Sequence, residues 1–379
     1  MPTPNLDKHL SIGINSLYLI PGGVGGTEVF LRHLLQALSE IDCENRYTVY
    51  ANRECAEDIC PAAPNFKLSA LNVAAKNRPW RLISEQTSLV WGLWRDGIDV
   101  LLNPGYTGPF LTPCPAVTVF HDMQHKRHPE YARRRDLLFF RLLYWLSAHR
   151  ASRIIAVSGA TKEDMLRYYS VAPRKIRAIP HGVDERCFSL VRQNPPEKRI
   201  LCVSTLHPHK GLDRLLRAFA RWRRHAPDFK LCLVGLEGYF TEALRRIVRD
   251  LELEQAVDIK GWIAREEVYE LYRTSAAFIY PSLFEGFGLP VLEALAAGLP
   301  TACSNIRPIR EIVSDAATLF NPEVEDEIVS ALDRITLDLD IRCHFAVAGP
   351  LRARRFSWNR TAKATLNLLR AAALRPKAS

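Results

Sequence analysis

Short apolar runs alternate with amphipathic helical stretches along most of the chain, and this alternation limits what it can fold into. SIGINSLYL opens as a strand. GTEVFLRHLLQALSEI follows as a helix, with Phe30, Leu34, Leu38 and Ile41 at helical spacing. YTVYA, DVLLN, AVTVF and RIIAVS read as further strands, with DLLFFRLLYWLSAHR and ATKEDMLRYY as helices among them. AIPHGVDERCFSLVRQNPPEKR, with Pro180, Gly182, Pro195 and Pro196, breaks the rhythm and reads as a linker. The alternation then restarts. RILCVS, FKLCLVG, AVDIKGW, AAFIYPS and LPTACSN read as strands, with GLDRLLRAFARWRRHA, TEALRRIVRDLEL and REEVYELYRTS as helices. Repeated βα units imply a parallel sheet with helices on both faces. Two such series in 379 residues predict an α/β chain of two doubly wound domains facing a cleft.

Ligands of such sheets bind beyond the carboxyl ends of the strands. The unusual residues fall there: Gly25 and Gly26, His121 and Asp122, Lys210, and Glu285. In LFEGFGLPVLEALAAGLP, two glutamates eight positions apart enclose two glycines and a proline. Pro290 suits the first turn of a helix, where its missing N–H costs nothing. Gly286 and Gly288 leave backbone amides bare before that turn, an anion site suited to a diphosphate. Glu293 falls about one turn into the helix, where a carboxylate can grip a ribose diol. Glu285 precedes the glycines and projects into the cleft. The plainer reading has Glu293 complementing the helix dipole and Glu285 solvated. A carboxylate pair can also serve as acid and base in glycoside hydrolysis.

The remaining candidates each carry two readings. IPGGVGGTEVF follows the first strand but lacks a third glycine at dinucleotide spacing, so it is either a tight turn or a phosphate cradle. Lys210, in HPHKGLDRLL, either neutralises phosphate oxygens or is a solvated lysine. His207 and His209 have no carboxylate spaced to complete a metal site. His121 ends a strand, which favours a role at a ligand over a structural one. In HKRHPEYARRRDLLFFRLLYWLSAHR, Lys126, Arg127 and Arg133 to Arg135 precede Phe139, Phe140, Tyr144 and Trp145. Such a helix either faces the core or lies on an anionic membrane, where its charges can also hold a lipid-diphosphate acceptor.

Composition narrows the partners. The formal net charge of +10 favours anionic ones. No recognised nucleic-acid module is present, so nucleic acid is not expected. The sequence has no apolar run of about 18 residues that would cross a membrane, and MPTPNLDKHL lacks the apolar core of a signal peptide. Nine cysteines, without zinc spacing and with Cys202, Cys232 and Cys303 in apolar runs, read as reduced thiols of a cytoplasmic protein.

Taken in order, Glu285-Gly-Phe-Gly-Leu-Pro, then Glu293-Ala, Gly298 and Pro300, resembles the E-x7-E signature of retaining glycosyltransferases of family 4. The Gly25-Gly26 turn, the VFHD strand end, PHGVD, the Lys-Gly loop and the final FSW segment match in the same order, so the resemblance covers nearly the whole chain. It implies the GT-B fold. The expected domains are an acceptor-binding Rossmann-like domain over 1–190, a nucleotide-sugar-binding one over 191–355, and a helix over 356–379 crossing back to the first.

The resemblance also implies roles. Glu293 binds ribose and Glu285 faces the donor sugar. Lys210 and the amides of Phe287, Gly288 and Leu289, beside Gly286, hold the diphosphate. Gly25 and Gly26 approach the phosphate, and His121 sits by the sugar and the acceptor. Gly261, Trp262 and Ile263 line the base. Thr205 stands where the family often has an arginine, which thins the cationic clamp. No cofactor or metal is expected, and retention is expected to be front-face. The HDMQHKRHPEY segment resembles mannosyltransferases of bacterial surface-polysaccharide assembly, favouring GDP-mannose as donor. UDP-hexose and dTDP-deoxysugar donors are the alternatives. A glycan or lipid-diphosphate-linked acceptor at the inner face of the membrane follows from the same resemblance. The rival readings are a GT-B sugar epimerase, which the E-x7-E segment argues against, and a nucleotide-sugar-binding subunit without catalysis.

Overall fold

The computed structural model describes residues 9–23, 25–131 and 134–374. The chain forms two compact units, Met1–Gly182 with Trp358–Ser379, and Val183–Ser357.

The first unit holds seven strands, β1 (Ser11–Asn15), β2 (Arg46–Ala51), β3 (Phe66–Ala70), β4 (Val100–Asn103), β5 (Ala116–Phe120), β6 (Arg153–Ala156) and β7 (Ile176–Ala178). They lie in the order β3-β2-β1-β4-β5-β6-β7, and every pairing is parallel. The central strands β4 and β5 are buried at every residue, which is why they read as continuous apolar runs. Its helices are α1 (Gly26–Ile41), α2 (Arg78–Gln86), α3 (Ser88–Arg95), α4 (Gln124–Arg127), α5 (Arg134–Arg150) and α6 (Gly159–Tyr169). One part of the core gathers Phe120, Ile154, Met165 and Tyr169.

The second unit holds β8 (Glu197–Val203), β9 (Lys230–Val234), β10 (Val257–Lys260), β11 (Ser275–Tyr280), β12 (Thr301–Ser304) and β13 (Thr318–Phe320). Their order, β10-β9-β8-β11-β12-β13, is the dinucleotide-fold order 3-2-1-4-5-6. The helices are α7 (Leu212–Trp222), α8 (Thr241–Asp250), α9 (Arg265–Thr274), α10 (Leu289–Ala296), α11 (Arg307–Val313), α12 (Glu325–Thr336) and α13 (Leu339–Ala353). Trp222 is fully buried between α7 and α12, and its indole N–H donates to Asp333 at 2.7 Å. That bond lets a large apolar ring be buried without stranding its one polar atom.

The last helix, α14 (Trp358–Ala373), belongs to the first unit. Trp358 packs its ring 6.0 Å from Phe30 and stacks on His33 of α1, and Thr361 donates to the Pro180 carbonyl at 2.7 Å. The helix starts at Trp358, so Phe356 and Ser357 precede it.

Several elements lie outside the strands and helices that the sequence predicts. β3 is an edge strand with Lys67 and Leu68 exposed. β7 is three residues long, just before the segment that reads as a linker. α2 and α3 place Trp80, Ile83, Trp91 and Trp94 toward solvent, so their apolar residues do not report a buried face. α13 contains Pro350.

Candidate functional site

In the second sheet the strand order reverses between β8 and β11, and the loops leaving those two strands carry Lys210 and Glu285. After β8 the chain makes a 3-10 turn over Pro208–Lys210 and enters Gly211 at φ +64°. A Cβ on Gly211 would lie 2.4 Å from the Pro281 carbonyl oxygen, so only glycine lets the two loops approach this closely. The loops are tied by the His209 carbonyl, which accepts from Leu283 N at 2.8 Å and from the Ser282 hydroxyl at 3.3 Å.

This approach brings Lys210 Nζ to 2.5 Å from Glu285 Oε1, with each side chain only 11% exposed. The Tyr280 hydroxyl donates to the same carboxylate oxygen at 2.7 Å, and Lys210 Nζ also lies 5.8 Å from the Tyr280 ring centre. Burial works against a charged Glu285, but the Lys210 charge and the hydrogen bonds outweigh it and hold the carboxyl below its usual range. Neither residue is a solvated surface charge.

The next turn leads into α10. Gly288 has φ +115°, and a Cβ there would lie 2.5 Å from Ile309 Cδ1. The Val291 and Leu292 amides return to the Gly288 carbonyl at 3.1 and 3.3 Å. The amides of Gly288 and Leu289 precede the first intrahelical acceptor, so they form the electropositive mouth of the helix. Phe287 is buried, with its ring 6.1 Å from that of Phe356.

Glu293, one turn into α10, is 4% exposed and is gripped by Arg265. Arg265 donates to both carboxylate oxygens, at 3.2 Å to Oε2 and more closely to Oε1. The Tyr272 hydroxyl adds a bond to Oε2 at 3.0 Å. The guanidinium is itself positioned by Tyr269, whose hydroxyl accepts from its Nε at 3.0 Å and donates to Asp184. Burial opposes the charge on Arg265, yet Glu293 raises its basicity further. Arg265, Tyr272 and Tyr280 are absent from the sequence reading. The one signal that could have found Arg265 is its position at the start of a helix beyond a strand's carboxyl end, the place where the other candidates lie.

Trp262 and Ile263 occupy the loop between β10 and α9, and Trp262 is 64% exposed, leaving a broad aromatic face in solvent. Thr205 lies just beyond β8, in a turn where His207 N donates to its carbonyl at 2.9 Å. The rings of His207 and His209 stack at 5.9 Å. Among the described residues no group of three His, Cys, Asp or Glu side chains could hold a metal ion. Cys202 and Cys232 are buried, which pushes their thiols up to about 12 and about 11 and leaves them unreactive at neutral pH.

The other candidates lie in the first unit. Gly25, at φ +57°, caps α1, and a Cβ on Gly26 would meet nothing within 4 Å among the described residues. The Gly22 amide donates to Glu28 Oε2 at 2.8 Å, closing the turn. His121 ends β5, and its Nε2 lies 2.7 Å from the Pro104 carbonyl. A carbonyl only accepts, so Nε2 carries the proton and Nδ1 is the lone-pair nitrogen of a neutral ring. Burial lowers the His121 pKa to about 4, against a smaller upward effect of that carbonyl. Its ring stacks on His181 at 5.7 Å and meets the edge of Phe30 at 5.0 Å. On α5, Leu138, Phe139, Leu142 and Trp145 are exposed, so the helix does not bury all of its apolar residues. Arg133 lies outside the described residues, as do the side chains of Arg134 and Arg135.

Two Rossmann-like parallel-sheet units make this a GT-B-type protein. The solved sucrose-phosphate synthase of Thermosynechococcus elongatus matches it with a TM-score of 0.77 at 19% identity, over 96% of this chain and 99% of that one. Residues 24–186 match Glycosyltransferase Family 4 and residues 189–350 match Glycosyl transferases group 1, and the chain belongs to this glycosyltransferase family. Among curated proteins it is 28% identical over 264 residues to O-antigen chain mannosyltransferase B of Escherichia coli, covering 66% of this chain and 69% of that protein. It is 26% identical to MMP alpha-(1->4)-mannosyltransferase of Mycolicibacterium hassiacum, covering 90% of this chain and 93% of that protein.

Proposed function

We propose that the chain is a retaining hexosyltransferase that moves mannose from GDP-mannose to a glycan or lipid-diphosphate-linked acceptor in surface-polysaccharide assembly. The observation that carries the donor reading is the pairing of Lys210 with Glu285 at the reversal point of the second sheet, beside the glycine turn at the N-terminus of α10. Lys210 has three N–H donors and spends one on Glu285, leaving two for phosphate oxygens. The amides of Phe287, Gly288 and Leu289 and the helix dipole supply the remaining positive potential. Glu293, oriented by Arg265, takes the ribose hydroxyls, and the exposed Trp262 offers a face for the base. The choice of mannose is supported by relatives that are mannosyltransferases by name.

The chemistry follows from that charge pattern. The bond from the anomeric carbon to the diphosphate oxygen breaks as positive charge develops on the sugar, and Glu285 stabilises that charge. The acceptor oxygen attacks from the face the diphosphate leaves, and a diphosphate oxygen takes its proton. His121, neutral and held by Pro104, presents Nδ1 as an acceptor for a sugar hydroxyl. The diphosphate charge is met by Lys210 and amides, so the transfer proceeds without a metal ion.

Proton NMR of the first product, made from GDP-mannose with chelator-treated enzyme, tests both points. An α-linked product is expected. A β-linked product refutes retention, and activity that returns only with added divalent metal refutes the metal-free site. Nucleotide binding without any donor turnover would favour the binding-subunit alternative, and turnover only with UDP- or dTDP-sugars would replace GDP-mannose.

A peripheral seat on the inner face of the membrane is supported by the exposed Leu138, Phe139, Leu142 and Trp145 of α5, which follow a basic stretch. Among the described residues no helix is long and apolar enough to cross a membrane.

A further inference from the structure

Glu293, the carboxylate proposed to take the ribose, has little accepting capacity left. An ionised carboxylate offers about four lone-pair sites. Arg265 Nη1 donates to Oε2 at 3.2 Å, Arg265 Nη2 donates to Oε1, and the Tyr272 hydroxyl donates to Oε2 at 3.0 Å. One site remains, on Oε1. A vicinal diol presents two hydroxyls, so Glu293 can accept from only one of them. The Glu293 side chain is 5% exposed, whereas that of Arg265 is 30% exposed. A ligand at this carboxylate therefore meets the guanidinium as well.

The guanidinium is held in place rather than poised to leave. Its Nε donates to the Tyr269 hydroxyl at 3.0 Å, and its Cζ lies 4.8 Å from the centre of the Tyr269 ring. Tyr269 is anchored in turn by its bond to Asp184. Swinging Arg265 away would strand a buried carboxylate without its cation, which is costly. Of the five N–H groups of an arginine, three are spent here on Glu293 and Tyr269. Two remain, one on each Nη, and the planar fork directs them away from the carboxylate. An N–H cannot accept, but it can donate to the oxygen of a hydroxyl.

We propose that Arg265 and Glu293 read the ribose as a pair. One hydroxyl donates to Glu293 Oε1, and the oxygen of the other accepts from an outer Nη–H of Arg265. The inference rests on reading this site as the nucleotide-sugar site of the proposed function. It makes Arg265 a specificity-determining residue for ribose over deoxyribose, because a sugar lacking either hydroxyl leaves one charged member of the pair without its partner.

Calorimetry on the full chain with GDP, 2′-deoxy-GDP and 3′-deoxy-GDP tests it. Each deoxy analogue should bind the parent protein about tenfold more weakly than GDP. In Arg265→Met one analogue should bind that variant as tightly as GDP does, while the other keeps its penalty. The hydroxyl that Arg265 holds lies beyond the guanidinium, out of reach of Glu293. Arg265→Lys keeps a cation for Glu293 and so preserves the fold, but it lacks the fork, and it should show the same pattern. Equal affinity of the parent protein for GDP and either analogue overturns the pair. Variants that keep both penalties show that Glu293 alone reads the diol, and variants that lose both show that Arg265 only positions Glu293. Either result overturns the proposal. UDP and its deoxy analogues, titrated in parallel, separate it from the choice of donor. If only the uridine series binds, GDP-mannose is wrong and the same comparison decides the pair. If neither diphosphate binds, the donor reading itself fails and the pair with it.

Discussion

Lys210 and Glu285 lie 75 positions apart in the chain, yet Nζ and Oε1 are separated by 2.5 Å. The pair forms because the turn after β8 and the loop after β11 are tied at the His209 carbonyl, which accepts from the Leu283 amide and the Ser282 hydroxyl. A cation and an anion so arranged are held in place by the fold itself, which is the preorganisation that the proposed diphosphate role requires.

Lys210→Ala should weaken GDP binding by about 1.5–3 kcal/mol, the worth of a charge-assisted hydrogen bond. Guanosine, which has no phosphate, should bind as before. Calorimetry with both ligands checks this, and an equal loss for the two would show that Lys210 does not act on phosphate.

Glu285→Gln and Glu293→Gln should differ in steady-state kinetics. Loss of the Glu293 charge should chiefly raise the KM for the donor, because the ribose contact is made in ground state and transition state alike. Loss of the Glu285 charge should chiefly lower kcat, because the charge it stabilises develops only as the bond breaks. Matching kinetic profiles would end this division of roles.

Arg265→Met should destabilise the second unit by about 3 kcal/mol, because it leaves the Glu293 carboxylate buried without its cation. The figure is at the lower end for such pairs, since Arg265 keeps 30% of its side chain exposed. Adding Glu293→Gln should recover much of the lost stability without restoring donor affinity. Denaturant unfolding of the single and double variants reads the first effect, and nucleotide titration reads the second. Stability unchanged in Arg265→Met would show that the pair does not support the fold.

Glu85 of α2 is fully buried, and burial raises its carboxyl to about 7, against smaller lowering effects of Arg81 and Thr107. A raised folded-state pKa contributes stability that is present below the unfolded value and lost as pH rises through the folded one. Glu85 should therefore cost the first unit roughly 3 kcal/mol between about pH 4.5 and pH 7. Buried His121 acts in the opposite sense, its contribution being present above about pH 6.5 and lost as pH falls toward about 4. Glu85→Gln should raise stability above pH 7 relative to the parent protein, measured by thermal unfolding across pH. An unchanged pH profile in the variant would mean that Glu85 is not protonated by the fold.

Association with anionic vesicles should be salt-sensitive and should need both parts of the α5 region. Reversal of Arg133, Arg134 and Arg135 to glutamate should remove the salt-sensitive part. Serine at Leu138, Phe139, Leu142 and Trp145 should remove what remains, since these side chains already face solvent and their loss opens no core cavity. Flotation assays check both, and binding indifferent to these changes would make the exposed face irrelevant to lipid.

The two series of βα units are legible in the sequence, because central parallel strands such as β5 and β11 are buried on both faces and must be apolar throughout. Elements outside that constraint are not: β3 and β7 lie at sheet edges, and α2 and α3 keep tryptophans in solvent. Glu285, Glu293, Lys210 and the glycines between them are also visible in the sequence, because the turn into α10 needs glycine at Gly288 and proline just after it. The partners of those residues are not visible. Only the parallel pairing of β8 with β11 brings Lys210 to Glu285, and only the packing of α9 beside α10 turns Arg265 onto Glu293. A residue's place at the end of a strand depends on local periodicity, which one stretch of chain carries by itself. The identity of the charge it meets depends on which strands lie side by side, and that is decided by the burial of whole sheets.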